Sequence, residues 1–541
     1  MYNQTQQGIF KGMNRAMSCI ALGMVLGTVV LISLFGEASA QLMQAVRTGL
    51  NPLLEWYYVL LVAFLLFFMI WLGVGRYKNV RLGADGESPE FTFFSWVSML
   101  FAAGTGVGIL FWSVAQPILQ FQANPFMDAS VSDAEAAVIA MRLSFFHWGI
   151  NGWAIFSFVA LAMAYFAFRH DLPLTVRSVL YPLLGERVRG RWGDAVDLLA
   201  VFGTVFGIAT TLGLGVQQMN AGLREVLGWA DSVQLQLAII VVIMTLATLS
   251  VVSGVARGVR LLSEANFWLS IAAVLFMLLF GPTQYLIGMT IEATGDYIQQ
   301  LLRMTFHTNV THGSDWQAEW TVFFWGWWLA WSPFVGMFIA RISRGRTLRE
   351  FVMGVLLVPT GITLIWIGLF GGTALYQELF QGGGIIAAVD ADVSTALFAT
   401  VKGMGLHPLL AQFVSLMLIL LISTYLMTSA NAGTLVVTTL LSGGDAEPPV
   451  AHRLLWGVCL TLLTAALLLA GGLHTLQAAV IAAAVPFSVV VMAMIWGLLR
   501  ALHEERFSPR DGARSAAPVE PWMVEDAQDA QAASATQEGP A

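Results

Sequence analysis

The sequence predicts an all-α polytopic membrane protein with twelve transmembrane helices. Of its 541 residues, 57% are apolar and only 11% charged, and the mean hydropathy is +0.74, a balance that cannot cover a water-facing surface. Twelve windows of about 18 mostly apolar residues are each long enough to cross roughly 30 Å of hydrocarbon as a helix. The basic residues collect in alternate connections, as the positive-inside bias requires. Soluble, fibrous and disordered classes are thereby excluded. Cys19 and Cys459 lie in separate apolar runs and form neither a disulfide framework nor a metal pattern.

The windows begin near Ile20, Trp56, Phe91, Leu143, Leu198, Val233, Phe267, Trp320, Val352, Leu409, Leu455 and Ala478. The first reads as an anchor, although Ala38 and Ala40 in GEASAQ imitate a signal-peptide cleavage site. Of the 26 lysines and arginines, only Arg47, Arg142, Arg224, Arg303 and Lys402 fall on the outer side, so both termini are expected in the cytoplasm of a cell whose inner membrane the chain spans. Two stretches too short to span, Ile291–Phe306 and Asp392–Met404, have apolar residues at helical spacing and read as helices lying on the membrane surface. The acidic, Ala- and Gln-rich tail 501–541 is expected to be disordered. No continuous basic stripe offers a nucleic-acid surface.

Three stretches carry candidate chemistry. The 31-residue run from Phe91 to Phe121 would reach roughly 46 Å as one straight helix, so it must tilt, bend or break. Gly104, Gly106 and Gly108 in AGTGVG mark the place. Unwound backbone at that depth lines a binding cavity; small residues equally serve close helix packing, and composition leaves both readings open. Next, WTVFFWGWWLAWSPFVG holds Trp327, Trp328 and Trp331. Trp331 lies ten residues, roughly 15 Å, before the cytoplasmic Arg341, deeper than an interfacial belt. FFHWGINGWAIFSF adds Trp148, Trp153 and Phe156. Trp153 and Phe156 share a face, but Trp148 sits about 140° from Trp153 on an ideal helix and joins them only if the helix is distorted.

Aromatic faces converging at depth suit a methylated ammonium, which has no N–H to donate and is held by cation–π attraction. No Asp or Glu lies in the middle of any span, so a buried carboxylate proton relay has no obvious carrier. His147 near the end of its span reads as a structural histidine. Thr428, Ser429, Asn431 and Thr434 supply neutral oxygens that suit a hard monovalent cation, or simply bond back to their own helix. A membrane enzyme would need His, Cys or carboxylate groups converging at one depth, and the sequence offers no such set.

These residues resemble the betaine/carnitine/choline transporter family from about residue 50 to 500. The most specific marker is WTVFFWGWWLAWSPFVGMFIARISRGRTLREF (Trp320–Phe351), supported by FFHWGINGWAIF and AGTGVG. The resemblance implies a homotrimer whose protomers have two leading helices and a core of two inverted five-helix repeats. Here residues 1–90 would hold the N-terminus and leading helices, 91–290 the first repeat, 291–319 the surface helix and connection, 320–500 the second repeat, and 501–541 the tail. It also implies a substrate cage of Trp148, Trp153, Phe156 and Trp328, with Trp327 and Trp331 lining the path and the backbone of Gly104, Gly106 and Gly108 meeting a substrate carboxylate.

Phe156 stands where glycine-betaine carriers of the family have Tyr. Gly108 stands where choline carriers have Asp, which favours a zwitterion. A sodium site would use the carbonyls of Ala102, Thr105 and Tyr425 and the hydroxyls of Thr428 and Ser429. Sodium-independent exchangers have an arginine at the position aligned with Phe267, and that surrogate cation is absent here. A second sodium site keeps Thr204 but has Ile208 where a hydroxyl belongs. The expected function is therefore sodium-coupled import of a methylated zwitterion of the glycine betaine type, with no bound cofactor. Proton-coupled or exchange transport of choline, carnitine or a dimethylsulfonium analogue is the alternative.

Overall fold

A computed structural model describes residues 4–8, 10–104, 106–252, 255–308, 310 and 313–507. Among them the regular structure is helical, with no β-strand. Eleven helical segments are long and apolar enough to cross a membrane. The expected third span is not one of these, because it is divided into α3 (Phe93–Gly104) and α4 (Val107–Gln122), each too short to be counted alone. The long glycine-rich run thus resolves its excess length by breaking.

The chain opens with α1 (Arg15–Leu34), capped by the Asn14 side chain, and α2 (Gly36–Val74). At 39 residues, α2 reaches about 58 Å and begins far before the window near Trp56. GEASAQ forms its first turns, so the sequence that imitates a cleavage site is helical. After the α3–α4 pair, α5 (Asp133–Trp148) starts at a Ser132 cap and stops at Gly149, and α6 (Ile150–Ala164) follows immediately. Short helices α7 (Val176–Val179) and α8 (Tyr181–Leu184) lead into α9 (Arg191–Leu227). That connection is fixed by Arg177, buried between Asp194 at 2.8 Å and Asp197.

Next come α10 (Val233–Val252), α11 (Val255–Phe280) and α12 (Thr283–Thr305), the last starting well before the surface helix expected at Ile291. Then follow α13 (Val322–Arg341) and α14 (Leu348–Phe380), the latter opened by a Thr347–Glu350 capping box. Short α15 (Ile385–Ala391) precedes the second amphipathic stretch, which holds α16 (Ala396–Gly403). The chain ends in α17 (Pro408–Leu441), α18 (Val450–Gly471) and α19 (Leu473–Phe507). α19 runs into the stretch whose composition suggests a tail; 508–541 lie outside the described residues. The described residues as far as Leu498 form one compact unit, and a second unit begins at Leu499, of which 499–507 are described.

The core forms where α13 packs against α6 and α9, and α4 against α5 and α14. Glycines set the closest approaches. A Cβ at Gly207 of α9 would lie 2.8 Å from the Trp331 ring, and one at Gly336 of α13 would lie 2.8 Å from Val159 of α6. These seams bring the tryptophans of α13 up against α6.

Candidate substrate site

The break at Gly149 decides the geometry. Trp148 ends α5 and Trp153 lies in α6, so the 140° that separates them on one helix does not apply across the interruption. Breaking a helix frees backbone groups that must find partners. Trp328 donates its indole N–H to the His147 carbonyl at 3.0 Å, Thr363 donates its hydroxyl to the Trp148 carbonyl at 3.0 Å, and the Ile150 N–H donates to the Tyr297 hydroxyl oxygen at 3.1 Å.

Trp148, Trp153, Phe156, Trp327, Trp328 and Trp331 then line one cavity with Gly106, Gly108, Ile109 and Gly152. Trp148 meets Trp328 edge-on at 4.9 Å between ring centroids, Phe156 lies 5.6 Å from Trp328 and 5.3 Å from Trp153, and Trp327 stacks on Trp328 at 4.9 Å. None of the lining residues is ionisable. The cavity is small, with room for about three waters.

Two glycines admit these rings. A Cβ on Gly108 would sit 2.8 Å from Trp327 and 3.1 Å from Trp148, and one on Gly152 would sit 3.0 Å from the Trp328 indole nitrogen. A buried polar chain orients Trp148: its indole N–H donates to Gln116 Oε1 at 3.1 Å, the Gln116 amide nitrogen contacts His147 Nδ1 at 2.7 Å, and His147 Nε2 contacts the Thr321 hydroxyl at 3.1 Å. With the Gln116 amide in this orientation, its nitrogen donates to Nδ1, so the proton of a neutral His147 sits on Nε2 and points to Thr321. His147 is thus structural, as its position suggests.

Backbone also contributes to the cavity wall. Gly106, extended at φ −178° and ψ −176°, precedes α4 and offers no side-chain cap; the first N–H groups of α4 have no partner within their own helix. A helix N-terminus favours negative charge. The indole N–H groups of Trp327 and Trp331 are also buried without a hydrogen-bond partner among the described residues. Aromatic faces and the start of a helix thus line the same cavity, with two indole N–H groups that have no partner among the described residues.

Residues 16–507 match the model of the BCCT, betaine/carnitine/choline, family of transporters. The chain belongs to this family. It is an integral membrane transporter, not an enzyme. It is 41% identical over 484 residues to a glycine betaine transporter of Acinetobacter baylyi, covering 88% of this chain and 72% of the relative. It is 40% identical to a probable glycine betaine transporter of Desulfitobacterium hafniense, covering 90% of this chain and 96% of the relative. To the high-affinity choline transport protein of Escherichia coli K12 it is 38% identical, covering 91% and 73%.

The residues that the resemblance assigns to sodium are partly visible in this BCCT protein. Thr105 lies outside the described residues, as do the side chains of 101–105, so Ala102 and Gly104 are seen only as α3 backbone. α17 runs unbroken through Tyr425, Thr428 and Ser429. The Thr428 hydroxyl donates to the Thr424 carbonyl at 2.8 Å, the bond back to its own helix that such residues commonly make, and accepts from the Asn266 amide at 2.9 Å. The Tyr425 hydroxyl pairs with Ser270 at 2.8 Å. Phe267, to which the surrogate-cation position was aligned, is 39% exposed, whereas Asn266 beside it is 6% exposed and reaches Thr428. At Thr204, the second-site candidate, the hydroxyl is buried with no partner among the described residues.

Sequence reasoning missed Gln116, Gly152, Asn266, Tyr297 and Thr363. Gln116 left a signal, an amide in an apolar run of helix. The others left none, because their roles depend on partners distant in the chain.

Proposed function

We propose that this transporter is a sodium-coupled symporter importing a zwitterionic quaternary-ammonium compound of the glycine betaine type by alternating access. The observation that carries the reading is one cavity lined both by aromatic faces and by the start of α4, with no ionisable residue in its lining. A quaternary ammonium keeps its charge at every pH and cannot donate hydrogen bonds, so a site without ionisable groups must hold it on π-electron faces, each worth ~2 kcal/mol when desolvated. Trp148, Trp153, Phe156 and Trp328 supply those faces. The N-terminus of α4, with the free indole N–H groups of Trp327 and Trp331, receives the carboxylate. Choline has no carboxylate to use those donors, which favours the betaine. The names of the relatives in Acinetobacter and Desulfitobacterium agree with that choice.

In this reading sodium is cargo, held by the carbonyls of Ala102, Thr105 and Tyr425 and the hydroxyls of Thr428 and Ser429. It stabilises the interrupted α3–α4 helix beside the substrate, so that two inverted repeats, 91–290 and 320–500, rock about a loaded centre. The chain would span the inner membrane twelve times with both termini cytoplasmic. Copies would assemble as a trimer through the apolar stripe Ile287, Ile291, Ile298 and Leu302 that α12 leaves exposed.

Glycine betaine uptake into proteoliposomes under an imposed sodium or proton gradient tests the reading. Sodium-driven accumulation that disappears in Thr428→Ala/Ser429→Ala is expected. Accumulation driven by protons alone, or only exchange, overturns the coupling, and uptake of choline but not glycine betaine overturns the substrate.

A further inference from the structure

We propose that Tyr297, on the amphipathic helix α12 and outside the cavity, is a positioning residue for the substrate cage: it terminates α6 and fixes the angle at which Trp148 faces Trp153 and Trp328. The inference rests on the cage reading above. Gly149 is the N-cap of α6 and has no side chain to cap it. The Tyr297 hydroxyl takes that place from another helix, 3.1 Å from the Ile150 nitrogen. The junction itself requires glycine, since a Cβ on Gly149 would lie 2.5 Å from the Phe145 carbonyl oxygen and 2.6 Å from the Tyr297 oxygen.

α12 also holds both halves of the broken span. On the α5 side Asp296 pairs with Arg142 at 2.8 Å and the Tyr297 ring meets Phe145 edge-on at 6.5 Å; on the α6 side Thr305 accepts from the Asn151 amide at 2.9 Å. One rigid element is thus bonded before, at and after the interruption. Trp148 belongs to one half and Trp153 with Phe156 to the other. The angle between the halves is therefore the angle of the cage, and α12 sets it while touching no ligand. The carbonyls of the break are held from elsewhere, by Trp328 and Thr363, so removing the Tyr297 hydroxyl loosens the junction and leaves the remaining bonds in place.

Tyr297→Phe in the full chain, reconstituted in nanodiscs and proteoliposomes, tests this with glycine betaine as the probe. The ring and its packing on Phe145 are kept, so unliganded thermal stability is expected to match the parent. Binding measured by calorimetry should weaken about tenfold, since a buried N–H loses its partner. The half-saturation concentration for uptake should rise to match while the maximal rate stays within about twofold. Unchanged affinity overturns the proposal. So does a parallel fall in maximal rate and melting temperature, which is what a packing role alone would give. Should Tyr297→Phe fail to fold, Thr305→Val is expected to shift affinity in the same direction by less, and no shift overturns the proposal. Trp328→Ala run alongside separates the two levels: if it leaves affinity intact, the cage itself fails and the positioning role with it.

Discussion

Two helices are interrupted beside the cavity, and they are finished in opposite ways. At Gly106 the chain is extended and α4 begins with no side-chain cap, where Gly106, Gly108 and Ile109 line the cavity. At Gly149 the bonds of the break are met from three other helices, by Trp328 of α13, Thr363 of α14 and Tyr297 of α12. The first break sets the start of a helix in the cavity wall, and its first N–H groups have no partner within their own helix. The second uses its freed groups to hold two helix segments at a fixed angle, so that the rings they carry face one cavity. Interruption of a membrane helix therefore has two uses, and the partners of the freed groups tell them apart.

Substitutions at the two breaks should separate these uses. Trp328→Ala removes a cage face and the donor to the His147 carbonyl together, and glycine betaine affinity should fall by about 30-fold or more, equivalent to ~2 kcal/mol or more. Calorimetry on the reconstituted protein reads it directly. Gly108→Ala puts a Cβ 2.8 Å from Trp327 and should weaken binding about tenfold by pushing rings apart. Gln116→Leu strands the Trp148 indole N–H and should cost about fivefold, seen as a raised half-saturation concentration for uptake. Gly106→Ala is the contrasting case. Its extended backbone accepts any residue, and a Cβ there meets nothing within 4 Å, so affinity should stay within about twofold. A large loss at Gly106 would mean that this break, too, depends on tight packing.

Much of this was legible in the sequence. Span positions follow from apolar windows, and the interruption in Phe91–Phe121 follows from a run too long to cross straight. The rings that line the cavity were singled out from their residue types, their depth and the family resemblance. The Gly149 break was not derivable, because a single glycine in an apolar helix usually marks packing; the distortion that Trp148 required gave the only hint. Tyr297 and Thr363 were invisible for a related reason: a hydroxyl becomes a cap only when folding brings it to an unpaired backbone group. A shift of one residue separates Phe267 from Asn266. On a helix that shift turns a side chain by 100°, here from the exposed face to the one that meets Thr428. The length of α2 escaped because its first turns, GEASAQ, carry too little hydropathy to register as a span.

The central claim is that a permanent positive charge is held by aromatic faces with no counter-charge in the cavity. Competition against glycine betaine binding by 3,3-dimethylbutyrate, which keeps the shape and the carboxylate but replaces the onium nitrogen with carbon, tests it most directly. The account predicts that this neutral-headed analogue fails to compete at concentrations where unlabelled glycine betaine displaces the probe completely. Equal competition by the two would contradict it.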